Sequence, residues 1–299
     1  MSQVQYFKAK EIAEGSYLIQ YAFTDKENTC CYLVIGQDRA IVIDTMNGYG
    51  HLRAFCETLT DKPLYLVNTH FHFDHCAGNF DFDACWMHHR DIADYYDSRI
   101  STPEQMAERV KKEAFPELVD QIEASDMTAF THHIPVYPLY DGDLLDLGDR
   151  TIEVVWVGGH TAGSVAFIDK KTRIAYTGDC CNCNTLLGFG NSLPVETYLK
   201  NLLHFHKFKD QFDIMYGGHE VQPPTLIEEG IELAARILAG TDDKAEEPGF
   251  FGTQTYGARH STFPLREDGK TFNMTYNPER RFEKAPGLRV INFQKKTRF

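Results

Sequence analysis

Nowhere does this chain run to the roughly 18 consecutive apolar residues of a membrane-spanning helix, and its opening, MSQVQYFKAKEIAEG, lacks the apolar core of a secretory signal. A soluble, cytoplasmic protein is expected. Positive charge is scarce, with 30 Lys and Arg against 43 Asp and Glu and a formal net charge of -13. That balance argues against nucleic acid and membrane surfaces as partners and points to a small-molecule substrate, with a homo-oligomer left open. Cysteine is absent after residue 183, and the eight present (30, 31, 56, 76, 85, 180, 181, 183) include the adjacent pairs Cys30-Cys31 and Cys180-Cys181. Adjacent pairs do not make a stapled framework, and a chain of 299 residues does not need one, so reduced thiols are expected. Cys180, Cys181 and Cys183 lack a second cluster at zinc-ribbon spacing, which argues against a separate cysteine metal site. Low-complexity tracts and short repeats are missing too.

What is present is ordinary globular composition, 42% hydrophobic and 24% charged, enough for one large domain or two unequal ones. Residues 17–23, 31–35 and 40–44 are rich in β-branched and aromatic residues and read as strands of a meander. Leu52, Phe55, Cys56 and Leu59 recur at helical spacing and precede a strand at 64–68. A second set follows: strands at 151–157, 165–169 and 173–177, a helix at 195–206, a strand at 213–216 and a helix at 224–238. Two similar halves predict an α/β fold of two face-to-face sheets with helices outside. Between them, 88–134 reads as an inserted helical lid, interrupted at Pro103 and Pro116. The catalytic domain is expected to span 1–244. Residues 245–299 are expected to form a β-rich extension, from the alternation of Phe272, Met274 and Tyr276 and of Leu288 and Val290.

The chemistry concentrates in Asn68-Thr69-His70-Phe71-His72-Phe73-Asp74-His75. Four ligand-type side chains within six positions, after a strand, suit a turn where side chains converge and stay open to solvent. Imidazole and carboxylate suit zinc, manganese or iron, and the lack of Cys favours a catalytic over a structural site. Taken singly, His160, Asp179 and His219 would be ordinary loop residues. Each, however, stands beside glycine at the end of a predicted strand, in Gly158-Gly159-His160, Gly178-Asp179 and Gly217-Gly218-His219. Glycine there allows a sharp turn and close approach.

His70, His72, Asp74 and His75 match H-x-H-x-D-H, and with the three later positions the chain resembles the metallo-β-lactamase superfamily over about residues 15 to 240. That resemblance implies a four-layer αββα sandwich with its site at one edge between the sheets. It also implies two divalent ions, zinc first with manganese or iron as alternatives. By it, His70, His72 and His160 hold one ion, Asp74, His75 and His219 the other, and Asp179 bridges them. Asp44 either supports the ligands or caps its strand. The implied reaction is hydrolysis of a small molecule's ester-like bond (thioester, lactone, phosphoester or β-lactam) by a metal-bridging hydroxide, with Asp74 accepting a proton. The His160-Thr161-Ala162-Gly163-Ser164 segment is closer to glyoxalase II-like and lactonase-like members than to antibiotic-hydrolysing ones. Asn182 stands where lactonases of the family often carry tyrosine, and the tail lacks the basic helices that bind glutathione.

Two alternatives stand beside this reading: a mononuclear iron enzyme resembling the sulfur dioxygenases, and a noncatalytic metal-binding protein of the same fold. Asn182 or Asn184 is expected to donate to the oxygen that gains charge during attack. Tyr95 and Tyr96 of the lid are expected to contact the substrate, and His88, His89, His132 and His133 are left out of the metal set.

Overall fold

Chain-adjacent strands build the first sheet. In the computed structural model, which describes residues 4–26, 28–98, 101–130, 133–247, 254–260 and 272–284, β1 (Phe7–Ala13), β2 (Ser16–Tyr21), β3 (Cys30–Ile35) and β4 (Ala40–Ile43) form an antiparallel meander. Direction then changes. Helix α1 (Leu52–Glu57) crosses to β5 (Leu64–Val67), which runs parallel to β4. Helix α2 (Phe73–Cys76) leads to β6 (Cys85–His88), and α3 (Ile92–Asp97) and α4 (Pro103–Glu113) lead to β7 (Val136–Leu139). Parallel neighbours need such crossovers, and the helices ride on them. The seven strands lie in chain order.

The second sheet has β8 (Leu144–Asp146), β9 (Thr151–Trp156), β10 (Val165–Asp169) and β11 (Ile174–Gly178). After β12 (Asn184–Leu187) and α5 (Val195–His206), β13 (Ile214–Gly217) returns parallel to β11, and β14 (Val221–Gln222) ends the sheet at its edge. Helix α6 (Leu226–Ala239) follows. A third sheet joins β12 to β17 (Asn273–Tyr276), then β16 (Thr255–Gly257) and β15 (Ala245–Glu247), so it draws strands from both sides of residue 244. Leu288, Val290 and His132 lie outside the described residues.

Strand alternation sets the layers. On β10, Val165 and Phe167 face the first sheet's Tyr32, Ile41, Ile43 and Val67, while Ala166 and Ile168 face α5 and α6. Both faces are buried, so the strand is apolar throughout. The first sheet's outer face, with Ile19, Leu33, Val42 and Leu66, packs on Leu52 and Cys56 of α1 and on Met106, Ala107 and Val110 of α4. The order is helix, sheet, sheet, helix. Pro103 begins α4 rather than interrupting it, because Thr102 and Gln105 form a capping box just before it. No helix among the described residues is long and apolar enough to cross a membrane.

Candidate metal centre

The centre forms where β4, β5, β9, β11 and β13 end together. Asp44, just past β4, takes a left-handed backbone (φ 64) and directs its carboxylate at the loop after β5. It accepts from Thr69 N (2.8 Å), Thr69 Oγ1 (2.6 Å) and His75 Nδ1 (2.9 Å). Thr69's single hydroxyl hydrogen is thereby spent, so the hydroxyl accepts from His70 Nδ1 at 3.1 Å. His160 Nδ1 donates to the Leu186 carbonyl at 2.9 Å. Each of these bonds fixes a tautomer and leaves Nε2 free to face the cluster. Asp44, of the two roles expected for it, supports the ligand-type residues directly.

All seven side chains named from the sequence converge. His70, His72 and His160 form one group, His70, His75 and Asp179 a second, and Asp74, His75 and His219 a third, each with ligand atoms within 4.8 Å of one another. Asp179 Oδ2 lies 3.6 Å from His160 Nε2, 3.7 Å from His75 Nε2 and 3.5 Å from His219 Nε2. One oxygen thus faces both halves of the cluster. Two glycines make this approach possible. A Cβ at Gly178 (φ 48) would collide with the Thr69 side chain, and one at Gly218 would collide with the His75 ring.

Buried His70 Nε2, His75 Nε2 and Asp179 Oδ1 have no hydrogen-bond partner among the described residues. Native interiors rarely leave such atoms unmet, and an N and O donor set of this kind fits divalent zinc, manganese or iron. Protonation divides the cluster. Burial, helped by the neighbouring imidazoles, holds His70 well below the ordinary value, and burial with His160 brings His72 to about 3. Burial opposes ionisation of Asp74, but His75 and His219 overcome it and draw its pKa to about 2. His219 goes the other way, up to about 9, because its hydrogen bonds to the accepting carboxylates of Asp179 and Asp74 outweigh burial. His70 and His72 are thus neutral and Asp74 is ionised, as ligation needs, whereas His219 and His75, which Asp74 and Asp179 raise against burial, hold protons that a bound cation would displace.

A cleft of about 1010 Å³ opens over this floor, with Phe71, Phe73, Leu186, Phe189 and Leu193 as its apolar lining. The expectation for Tyr95 and Tyr96 fails here. Tyr95 is 5% exposed and packs among Phe71, Cys76 and Met87, while Tyr96 donates to the Ile134 carbonyl. Among the described residues of segment 88–134 only Asp94 reaches the cleft, because the apolar stripe of α4 is spent on the first sheet. The opposite wall comes from residues 184–193 and Arg280, which carry no local signal for such a role. Asn182 and Asn184 both line the cleft. The Asn182 carbonyl accepts from Thr185, and its NH2 has no partner among the described residues. The eight cysteines are thiols rather than disulfides. His88 is stacked flat on Trp156 and joins no group of candidate ligands among the described residues.

Sequence reading also missed Asp91. Fully buried, it accepts from Phe71 N (3.2 Å), Thr161 Oγ1 (2.6 Å) and Gly163 N (2.5 Å), and so ties the His70–His72 loop to the His160 loop.

A family model described as the metallo-beta-lactamase superfamily matches residues 25–180. The acyl-coenzyme A thioesterase MBLAC2 of Bos taurus is 28% identical over 197 residues, covering 60% of this chain and 68% of that protein. A hydroxyacylglutathione hydrolase of Erythrobacter litoralis is 27% identical over 140 residues, 46% of this chain and 41% of that protein. Among solved structures, a metallo-beta-lactamase from Pontibacter korlensis aligns with a TM-score of 0.56 at 14% identity, over 77% of this chain and 99% of that one.

Proposed function

The chain belongs to the metallo-β-lactamase superfamily as one of its hydrolases, and from that premise we propose that it cleaves a small-molecule thioester at a centre of two divalent ions. The observation that carries this reading is the convergence of seven ligand-type residues, with orphaned buried atoms among them, beneath a largely apolar cleft. Relatives named acyl-coenzyme A thioesterase and hydroxyacylglutathione hydrolase support a thioester as the bond.

His70, His72 and His160 would hold one ion, Asp74, His75 and His219 the other, with Asp179 between. Such ions, zinc first by donor type, supply Lewis acidity and acidify water. The rest falls to the protein. Asp44 and the Leu186 carbonyl orient His75 and His160. Asp74 takes the proton released as water adds to the thioester carbonyl, and the Asn182 amide donates to the oxygen that gains charge. The C–S bond then breaks and the sulfur leaves as a thiol with the proton that Asp74 took, while the apolar wall holds the acyl part. A single-iron enzyme would need only the first three histidines, and the equal convergence of Asp74, His75 and His219 favours two ions. In this reading 1–244 is the catalytic domain, 88–134 an insertion in it, and 245–299 an extension that completes the cleft wall.

Metal analysis paired with a screen of thioester, lactone, phosphodiester and β-lactam substrates tests the proposal. Two ions per chain and thioester turnover that disappears with chelation are expected. Turnover of another class with thioesters inert would replace it.

A further inference from the structure

Among the described residues lining the cleft, one is an arginine or lysine: Arg280, at the end of the short turn Pro278–Arg280 after β17. Asp94 lines the same cleft apart from Asp74 and Asp179, which the two ions would engage, in a chain of net charge -13. An anionic group on the part of the substrate that lies away from the ions meets the chain's negative charge unless another cation offsets it. Arg280 forms no ion pair with a carboxylate among the described residues. Its Nη1 donates to the carbonyls of Phe189 (2.9 Å) and Gly190 (2.8 Å), and Nη2 donates to that of Ser192. Carbonyls orient a guanidinium without cancelling its charge. Of its five N–H groups, three are used in this way, and Nε–H and the second Nη2–H engage no described residue.

Place matters as much as charge. Phe189, whose backbone Arg280 holds, packs its ring edge-on against His72 (5.1 Å between centroids) and His160 (5.6 Å). The cation is therefore one residue removed from the centre rather than on a remote surface. We propose that Arg280 is the anion anchor of the cleft, binding a phosphate or carboxylate on the non-reacting part of the substrate. The proposal rests on the thioesterase reading only for the identity of the bond that breaks.

The test compares one acyl group on three thiols: coenzyme A (phosphates), glutathione (carboxylates) and N-acetylcysteamine (neutral). The readout is the ratio of kcat/KM for each anionic thioester to that for the neutral one, which removes effects common to the chemical step. In Arg280→Met the ratio should fall about tenfold for whichever anion is bound, and Arg280→Lys should keep most of it. The arm that changes identifies phosphate or carboxylate. Raising the ionic strength should lower the ratio in the parent protein as well, a result that needs no variant to fold. Ratios unchanged in Arg280→Met, with no salt dependence in the parent, would overturn the anchor and leave Arg280 a latch on the 189–192 loop. If the parent turned over none of the three, the thioester reading would fall, and calorimetry with S-methyl-coenzyme A and S-methylglutathione on the zinc-loaded protein would decide Arg280 separately. Binding about tenfold weaker in Arg280→Met supports the anchor, and equal binding overturns it.

Discussion

Asp91 shows how much of a site can depend on a carboxylate that meets neither ligand nor solvent. Burial pushes its pKa up to about 7 against the hydrogen bonds from Thr161, Gly163 and Phe71. A folded pKa above the ordinary carboxylate range of about 4 means the folded protein keeps a proton that the unfolded chain releases. Its contribution to stability is therefore full below about pH 4 and declines as pH rises toward 7. Asp91→Asn removes that dependence, and other titrating groups cancel in the difference. The melting-temperature gap between parent and variant should accordingly narrow from about pH 5 to about pH 8. A constant gap would show that Asp91 titrates as an ordinary carboxylate. For Asn182, whose free NH2 lines the cleft, replacement by Ala should lower kcat by up to about a hundredfold and change KM little. A steady-state profile with kcat unchanged removes it from the mechanism.

Among the elements, α3 and α4 separate two roles that one helical insertion could have played. The stripe Met106, Ala107 and Val110 faces the outside of the first sheet, and Tyr95 of α3 is enclosed beside Phe71 and Cys76. Tyr95→Ala should therefore act through stability, costing about 3 kcal/mol by denaturant unfolding, while the ranking of substrates stays as in the parent. A reordered ranking at unchanged stability would return Tyr95 to the cleft. Element β12 has the larger functional share. Its Leu186 carbonyl orients His160, and it is held in the third sheet by β17, whose following turn supplies Arg280.

Across the whole molecule, one buried cation joins the two sheets at the end of β10 away from the metal centre. Arg150 donates from Nε to Asp169 at 2.8 Å and from Nη1 to the Ile35 carbonyl at 3.1 Å, with further bonds from Nη2 to Asp169 and Ser16. Removing one partner leaves a buried charge uncompensated, so Arg150→Met should cost about 3 to 5 kcal/mol, whereas Arg150→Met with Asp169→Leu should recover much of that. Urea unfolding of both variants checks it. A double variant no better than the single one would show that the carbonyl bonds, not the charge pair, carry the stability.

The ligand-type residues were legible in the sequence because their signal is local: four donors within six positions, and three more beside glycines at strand ends, need no knowledge of what packs where. Most strands and the larger helices were legible for the same reason, since periodicity and residue type are properties of short segments. An apolar stripe, by contrast, records that a face is buried and not against what, so the placement of α4 and the enclosure of Tyr95 waited on the fold. Asp91, the Leu186 carbonyl and Arg280 waited on it too. Each acts on a partner 26 to 91 residues away in the chain, as the bonds from Thr161 to Asp91, His160 to Leu186 and Arg280 to Phe189 show. Residue types and spacing determine which groups could bind a cation. Only the packing of β12 and the C-terminal extension decides which carbonyl aims a ligand and which charge guards the cleft, because those contacts exist only once the layers have closed.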